Sequence, residues 1–267
     1  MNFHNLFQGI IKQAELAYTK HRHTDGNFSI VGIGADGTET TKLDKVLEDV
    51  VINELHRSKV GGSVLSEEIG WTELEGEKSG YTFVIDPLDG TSNAKMNFPY
   101  FALSIAVVKE EQIVSGLIYN YGSKDTFYAA QSGGAFNNGR PIRIDSETPT
   151  KDNRLVLSRP FSWEESDLYM KCMMNTKRIR MTGCPSLDVV SVASGTFNGY
   201  IDYHPAKGLI KTHDILASQI ILEEAGGLLL DETGKPLKLC LDVESTYNVF
   251  AVNNMETFRA VSTFFGL

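Results

Sequence analysis

The sequence predicts an α+β N-terminal lobe over residues 1–150 followed by an α/β C-terminal lobe over residues 151–267. Three observations carry this expectation. Two segments with helical apolar spacing open the chain, at 4–20 and at Leu43–Leu55. Three β-rich segments separated by short polar turns follow between Ala102 and Ala130, the pattern of an antiparallel sheet. Beyond the polar stretch Glu147–Asn153, strand and helix patterns alternate.

Taken in order, the first helix keeps its apolar positions on one face but interrupts them with Gln8, Lys12, Gln13 and Glu15, so it lacks the continuous core of a signal peptide. The second carries Leu43, Val46, Leu47, Val50, Val51 and Leu55. Gly61-Gly62 reads as a break. Gly80–Ile85 is a short strand that stops at Asp86-Pro87. Ala102–Val108, Ile113–Asn120 and Thr126–Ala130 are the antiparallel strands, and Gly133–Gly139 is a loop. In the second half, strands are expected at Leu155–Ser158, Ile179–Met181 and Gly199–Tyr203. Helices are expected at Trp163–Asn175, Ser186–Ser194 and Ile215–Ala225, the last ended by Gly226-Gly227.

A chain of 267 residues buries enough core to need no disulfide or structural zinc. Cys172, Cys184 and Cys240 are odd in number and share no C-x-x-C spacing, which fits a reducing, cytoplasmic setting. The longest apolar run, Phe101–Val108, is far too short to span a bilayer. With 34 acidic against 25 basic residues the formal charge is -9, which disfavours a nucleic-acid polymer as partner. An anionic ligand would then need positive charge from bound metal or from helix N-termini.

The chemistry-bearing residues are acids. Glu67, Glu68, Asp86 and Asp89 lie within 23 residues, and Asp44 lies on the preceding helix. Each has an ordinary structural alternative: Asp86 as a strand-end cap, Asp89 as a turn residue before Gly90, Glu67-Glu68 as a solvated loop. Together they repel one another, and a hard divalent cation such as Mg²⁺ relieves that repulsion while bringing phosphate oxygens into its remaining positions. The spacing Asp86-Pro-Leu-Asp89 lets both carboxylates and the Leu88 carbonyl face one point, with Pro87 stiffening the bend. Gly90 admits close approach of a ligand, and a helix starting near Thr91 offers free N–H groups to a phosphate. Haloacid-dehalogenase-type phosphatases also carry Asp-Gly-Thr, but their nucleophile would fall at Pro87, so an aspartyl-phosphate mechanism is not supported.

Asp86-Pro-Leu-Asp-Gly-Thr-Ser-Asn93 resembles the D-P-[IL]-D-G-T-x-N signature of the inositol monophosphatase superfamily. Ser66-Glu67-Glu68, Thr41-Lys-Leu-Asp44, Gly183–Asp188 and His213–Gly227 are similar to four further segments of it, so the resemblance covers nearly the whole chain. Gly34–Asp44 and Asn248–Asn253 look closest to archaeal enzymes acting on both inositol monophosphate and fructose 1,6-bisphosphate. The resemblance implies a layered αβαβα sandwich, a homodimer, and two or three Mg²⁺ ions, with Mn²⁺ as a substitute. It further implies that Glu67, Asp86, the Leu88 carbonyl, Asp89 and Asp214 hold metal, with Asp44 serving a more weakly held third ion. Gly90 and Thr91, with Asp89 and Asp214, would face the phosphate, and Cys184, Pro185, Ser186 and Asp202 the alcohol portion. Thr91, polarised near Glu67, would orient the attacking water, so Thr91, Glu67 and Asp44 are the catalytic candidates.

This chain departs from the family at His213, where Trp is usual, at Cys184-Pro185, and at Asp202, where many members have Glu. Asp214 alone would read as a helix N-cap, and Asp188 as a favourable partner of a helix dipole. The expected activity is metal-assisted hydrolysis of a small phosphorylated polyol or sugar. A 3'-phosphoadenosine 5'-phosphate phosphatase, faintly resembled at Ser158-Arg159, is one alternative. A non-enzymatic sensor of metal and sugar phosphate is the alternative of another class.

Overall fold

The computed structural model describes residues 3–144 and 153–267. The expected lobe boundary near residue 150 therefore lies outside the described residues. The N-terminal part runs through α1 (Phe3–His21), β1 (Ile30–Ile33), β2 (Glu39–Thr41), α2 (Lys42–Arg57), β3 (Val60–Ser66), β4 (Gly70–Leu74) and β5 (Glu77–Asp89). It continues with α3 (Thr91–Lys95), β6 (Ala102–Lys109), β7 (Gln112–Asn120), β8 (Thr126–Ala130), β9 (Gly134–Asn137) and β10 (Arg140–Ile142). Eight of these strands form one sheet in the order β10-β9-β8-β7-β6-β5-β3-β4. Only the β3–β5 pairing in it is parallel.

This sheet is covered on both faces, which explains why Phe101–Val108 is apolar at every position but Ser104. Phe83, Ile85, Leu103, Ile105 and Val107 point to one side, where they pack with Phe7, Ile10, Ala14, Leu43, Leu47 and Val51 of α1 and α2. Val84, Ala102, Ala106 and Val108 alternate to the other side. The helices spend one face each on this contact: α1 buries Phe3, Phe7, Ile10, Ile11, Ala14 and Tyr18, a single stripe at helical spacing.

The second part begins with β11 (Arg154–Leu157), α4 (Trp163–Met174), β12 (Arg178–Arg180), α5 (Pro185–Ala193), β13 (Gly199–Asp202) and β14 (Ile210–Lys211). Then come α6 (Thr212–Glu224), β15 (Leu228–Leu230), β16 (Thr246–Tyr247), β17 (Val249–Val252) and α7 (Met255–Phe265). Five strands make a second sheet in the order β12-β11-β13-β17-β15. Val156, Tyr200 and Ala251 face α5 and α6. Leu157, Ile201 and Phe250 face Tyr169, Phe258, Val261 and Phe265 of α4 and α7.

Helices α5 and α6 thus lie between the two sheets, and the layers read α1/α2, first sheet, α5/α6, second sheet, α4/α7. This is the expected αβαβα sandwich. Because α6 is enclosed from both sides, it buries Ile215, Leu216, Ala217, Ile220, Ile221 and Leu222 all around its circumference, and no amphipathic stripe marks it.

Three expectations need correction. Gly61-Gly62 does not break the chain but lies within β3. A Cβ on Gly62, at φ +144°, would sit 2.2 Å from the Tyr81 carbonyl oxygen, so glycine is there because the neighbouring strand passes so close. Gly133–Gly139 is not a plain loop: β9 turns into β10 at Asn138-Gly139, with φ of 50° and 74°. Positive φ at both residues is the Asn-Gly hairpin geometry that matches strand twist. Finally, the strand expected to stop at Asp86-Pro87 runs on to Asp89, passing through a register shift against β6 between Asp86 and Asp89.

Candidate active site

That register shift builds the centre of the site. At a bulge the strand bends and re-aims its side chains. Here the Leu88 N–H closes back on Asp86 Oδ1 at 2.9 Å, and Leu88 buries its own side chain. Asp86, the Leu88 carbonyl and Asp89 are delivered together, and Gly90 then turns the chain into α3 at φ 85°. A Cβ on Gly90 would stand 3.2 Å from both the Cys184 Cβ and the Tyr100 carbonyl, so the crowding and the backbone angle both require glycine.

Other elements bring Glu67 and Asp214 to the same cleft and set Asp44 and Glu68 beside it. Glu67 and Glu68 follow β3, the parallel neighbour of β5. Asp44 is the third residue of α2 and completes a capping box with Thr41: its Oδ2 accepts the Thr41 N–H at 2.8 Å. Asp214 occupies the same place in α6, accepting the Lys211 N–H at 2.7 Å. Capping and ligand-facing roles coincide, because a helix mouth that binds a carboxylate also points it out of the helix. Carboxylate oxygens of Asp86, Asp89 and Asp214 lie within 4.8 Å of one another. They line a cleft of about 450 Å³ together with Glu67, Gly90 and Thr91.

The Thr91 hydroxyl sits 3.2 Å from Asp44 Oδ1 and 3.0 Å from the Leu88 carbonyl. It has one proton for two acceptors, so it donates to one of them at a time and keeps a lone pair for another donor. Glu67 is turned elsewhere, with Oε1 3.4 Å from the Thr38 hydroxyl. Thr91 is therefore joined to Asp44 where the sequence suggested Glu67.

The residues expected near the alcohol fall into two groups. Cys184 and Ser186 are fully buried at the start of α5 and act on Asp89: the Cys184 Sγ and the Ser186 N–H reach its Oδ2 at 3.0 and 2.8 Å. Pro185 is the first helical residue between them, a position that tolerates a missing N–H. Asp202 is buried at the end of β13, where its Oδ2 accepts from the Tyr200 hydroxyl at 3.2 Å and its Oδ1 lies 3.3 Å from His204 Nε2. Asp188 accepts from the Tyr100 hydroxyl at 2.9 Å, and burial pushes its carboxyl up to about 7.

Two participants were not legible beforehand. Asp36, in the turn between β1 and β2, receives the Lys211 ammonium at 2.6 Å on Oδ2 and again at 2.7 Å on its carbonyl. Lys211 is thus ion-paired within the site. Thr40 donates to Glu68 from the adjoining strand.

The charge balance at the cleft is lopsided. Burial, then the charges of Asp214, Glu68, Asp36 and Asp44, raise the Glu67 carboxyl well above its usual range. Burial, then Glu67, Asp89 and Asp214, do the same to Asp86. Asp89 is pushed up to about 7 by burial and Asp214 against the hydrogen bonds from Ser186 and Cys184. Burial also raises Asp44 and Asp214. Among the described residues Lys211 is the cation bonded within this group, and it is engaged by Asp36. The donor set is all oxygen and short of positive charge, which fits a hard divalent ion with open positions for phosphate.

Comparison with known proteins agrees with this geometry. Residues 8–260 match the inositol monophosphatase family. A fructose-1,6-bisphosphatase/inositol-1-monophosphatase of Methanothermobacter thermautotrophicus is 31% identical, the alignment covering 94% of this chain and 91% of that one. A bifunctional NADP phosphatase/NAD kinase of Methanococcus maripaludis is also 31% identical, over 88% of this chain and 44% of that protein. The crystal structure of an inositol monophosphatase-fructose 1,6 bisphosphatase superposes with a TM-score of 0.85 at 28% identity, covering 99% of this chain and 100% of that one. No helix among the described residues is long and apolar enough to cross a membrane. The bulge on β5, the acids gathered around it and these likenesses place the chain in the inositol monophosphatase family, metal-dependent phosphoric monoester hydrolases.

Proposed function

We propose that the protein hydrolyses phosphate monoesters of small polyols and sugars, inositol monophosphate and fructose 1,6-bisphosphate first among them, with two or three Mg²⁺ ions per site and Mn²⁺ as a substitute. The observation that carries this reading is the convergence of Asp86, Asp89 and Asp214 within 4.8 Å beside Gly90 and Thr91, in a cleft also lined by Lys95, where among the described residues no lysine or arginine is ion-paired to any of the three. The names borne by its archaeal relatives support the substrate class.

In this reading residues 1–150 carry the main metal and phosphate site, and residues 151–267 contribute Asp214 and the substrate contacts. Asp86, Asp89, Asp214, Glu67 and the Leu88 carbonyl would hold the ions, and Asp44 would serve a third. When bound, divalent ions acidify a water and neutralise charge on the phosphate and the leaving oxygen. Thr91 orients that water through its free lone pair and passes a proton toward Asp44, whose carboxyl is already raised by burial. Gly90 leaves room for the phosphate against the start of α3. Cys184 and Ser186 keep Asp89 aimed, and Pro185 is the candidate on the alcohol side; Asp202, held by Tyr200 and His204, would reach the alcohol only by giving up one of those partners. Attack by water is direct and in line, and no phosphoenzyme forms. A cytoplasmic homodimer completes the reading.

The NADP phosphatase relative favours one extension, to nucleotide-borne phosphates, which also covers the 3'-phosphoadenosine 5'-phosphate alternative. A sensor without catalysis would have no need of Thr91 bonded to Asp44. Initial rates with Mg²⁺ on inositol 1-phosphate, fructose 1,6-bisphosphate, NADP and 3'-phosphoadenosine 5'-phosphate test all of this. The reading expects the first two to lead; release from none of the four overturns it.

A further inference from the structure

Beside the all-carboxylate cluster lies a second group of different chemistry. Carboxylate oxygens of Asp36 and Glu67 and one ring nitrogen of His213 lie within 4.8 Å of one another. They arrive from three places: the β1–β2 turn, the end of β3 and the first turn of α6. His213 is only 2% exposed, yet its ring is left without a hydrogen bond. Nδ1 has no partner, and Nε2 stands 3.6 Å from Asp214 Oδ1, beyond hydrogen-bond reach. Buried imidazoles in folded proteins are normally satisfied, so an unpartnered one facing two carboxylates points to a ligand.

We propose that Asp36, Glu67 and His213 form a mixed nitrogen–oxygen site for a borderline first-row transition ion, of which Zn²⁺ is the type. Imidazole nitrogen favours such ions, whereas Mg²⁺ selects oxygen donors. With bonds of about 2.0–2.2 Å, donors of one ion stand no more than about 4.4 Å apart, so these three need close by only a few tenths of an ångström. Glu67 has two oxygens and can give one to each cluster. Asp36 Oδ1 accepts the Thr38 N–H and hydroxyl at 2.8 Å each, which fixes the carboxylate's direction. Its Oδ2 carries the Lys211 ammonium, which therefore competes with an arriving ion. The site does not rest on the phosphatase reading and shares only Glu67 with it.

Calorimetric titration of metal-stripped full-length protein with Zn²⁺ in saturating Mg²⁺ tests this. One Zn²⁺ should bind per chain, at least tenfold more weakly in His213→Ala and severalfold more tightly in Lys211→Met, where Asp36 is released. Co²⁺ in place of Zn²⁺ should give a visible spectrum whose nitrogen-ligation component vanishes in His213→Ala. If that variant does not fold, Asp36→Asn, in a half-buried turn, must weaken Zn²⁺ binding to a similar degree. Wild-type protein that takes up no Zn²⁺, or variants that bind it as tightly as wild type, would overturn the proposal. Failure of the phosphatase reading would show separately, as absent phosphate release with Zn²⁺ binding intact.

Discussion

Two groups of buried acids, one at the cleft around β5 and one at the end of β13, are neutralised differently. At the cleft, Glu67, Asp86, Asp89 and Asp214 repel one another, and the bonded cation Lys211 is taken by Asp36. Between α4 and the end of β13, Glu165 and Asp202 share a histidine: His204 Nδ1 lies 3.1 Å from Glu165 and Nε2 3.3 Å from Asp202, with all three side chains nearly buried. The second group is closed, carrying its own counter-charge. The first is open, and an external cation is what completes it. Buried acid alone does not mark a metal site; buried acid without an internal partner does.

The comparison breaks most sharply at Asp86. Replacing it with Asn should lower phosphate release by more than about a thousandfold, since a metal ligand and its charge are lost. The same change should raise the melting temperature of the metal-free protein by about 2–4 °C, because one repelling carboxylate is gone. A variant that is inactive and less stable without metal would mean the acids are not in conflict.

At the closed group the signs reverse. Burial pulls the His204 pKa down, but Asp202 and Glu165 outweigh it, so the folded value lies above the ordinary 6.5. Its stabilising contribution is therefore full below about pH 6.5 and is lost as pH rises through that higher value. His204→Gln should cost about 3–5 kcal/mol at pH 6, by leaving two buried carboxylates without their cation, and less at pH 9. Equal losses in denaturation curves at both pH values would contradict the clamp.

The smallest effect is expected at Cys184. Its thiol, raised by burial and by Asp89, remains protonated and donates to that ligand. Cys184→Ser keeps a donor in place, and metal affinity by calorimetry should change by no more than about threefold. Cys184→Ala removes the donor and should weaken binding by about tenfold, in line with loss of a partner behind a metal ligand.

Most of this was legible in the sequence where the signal is local. The segment Asp86–Asn93 shows its own turn chemistry, and the helix around Leu43–Leu55 shows its stripe. The enclosed helix α6 was placed by its terminal glycines rather than by periodicity, because burial on all sides erases the stripe. Gly62 was misread because a glycine that admits a neighbouring strand looks the same as one that breaks a strand. The pairing of Lys211 with Asp36 spans 175 residues, and no spacing rule reaches that far. Asp202 and Asp86 are both buried acids on strands, and nothing local in the sequence separates them. What separates them is His204, which only the fold brings alongside.

An open acid cluster of this kind needs a divalent ion, and Mg²⁺ titration of metal-stripped protein at pH 6 and pH 8 tests that need most directly. With Asp89 pushed up to about 7, and Glu67 and Asp86 raised well above their usual range by burial and by neighbouring carboxylates, ions must displace protons at the lower pH. Calorimetry should show at least two ions bound at pH 8, with affinity about tenfold or more weaker at pH 6 and protons released on binding. Binding that is absent at both values, or equally tight with no proton release, would contradict it.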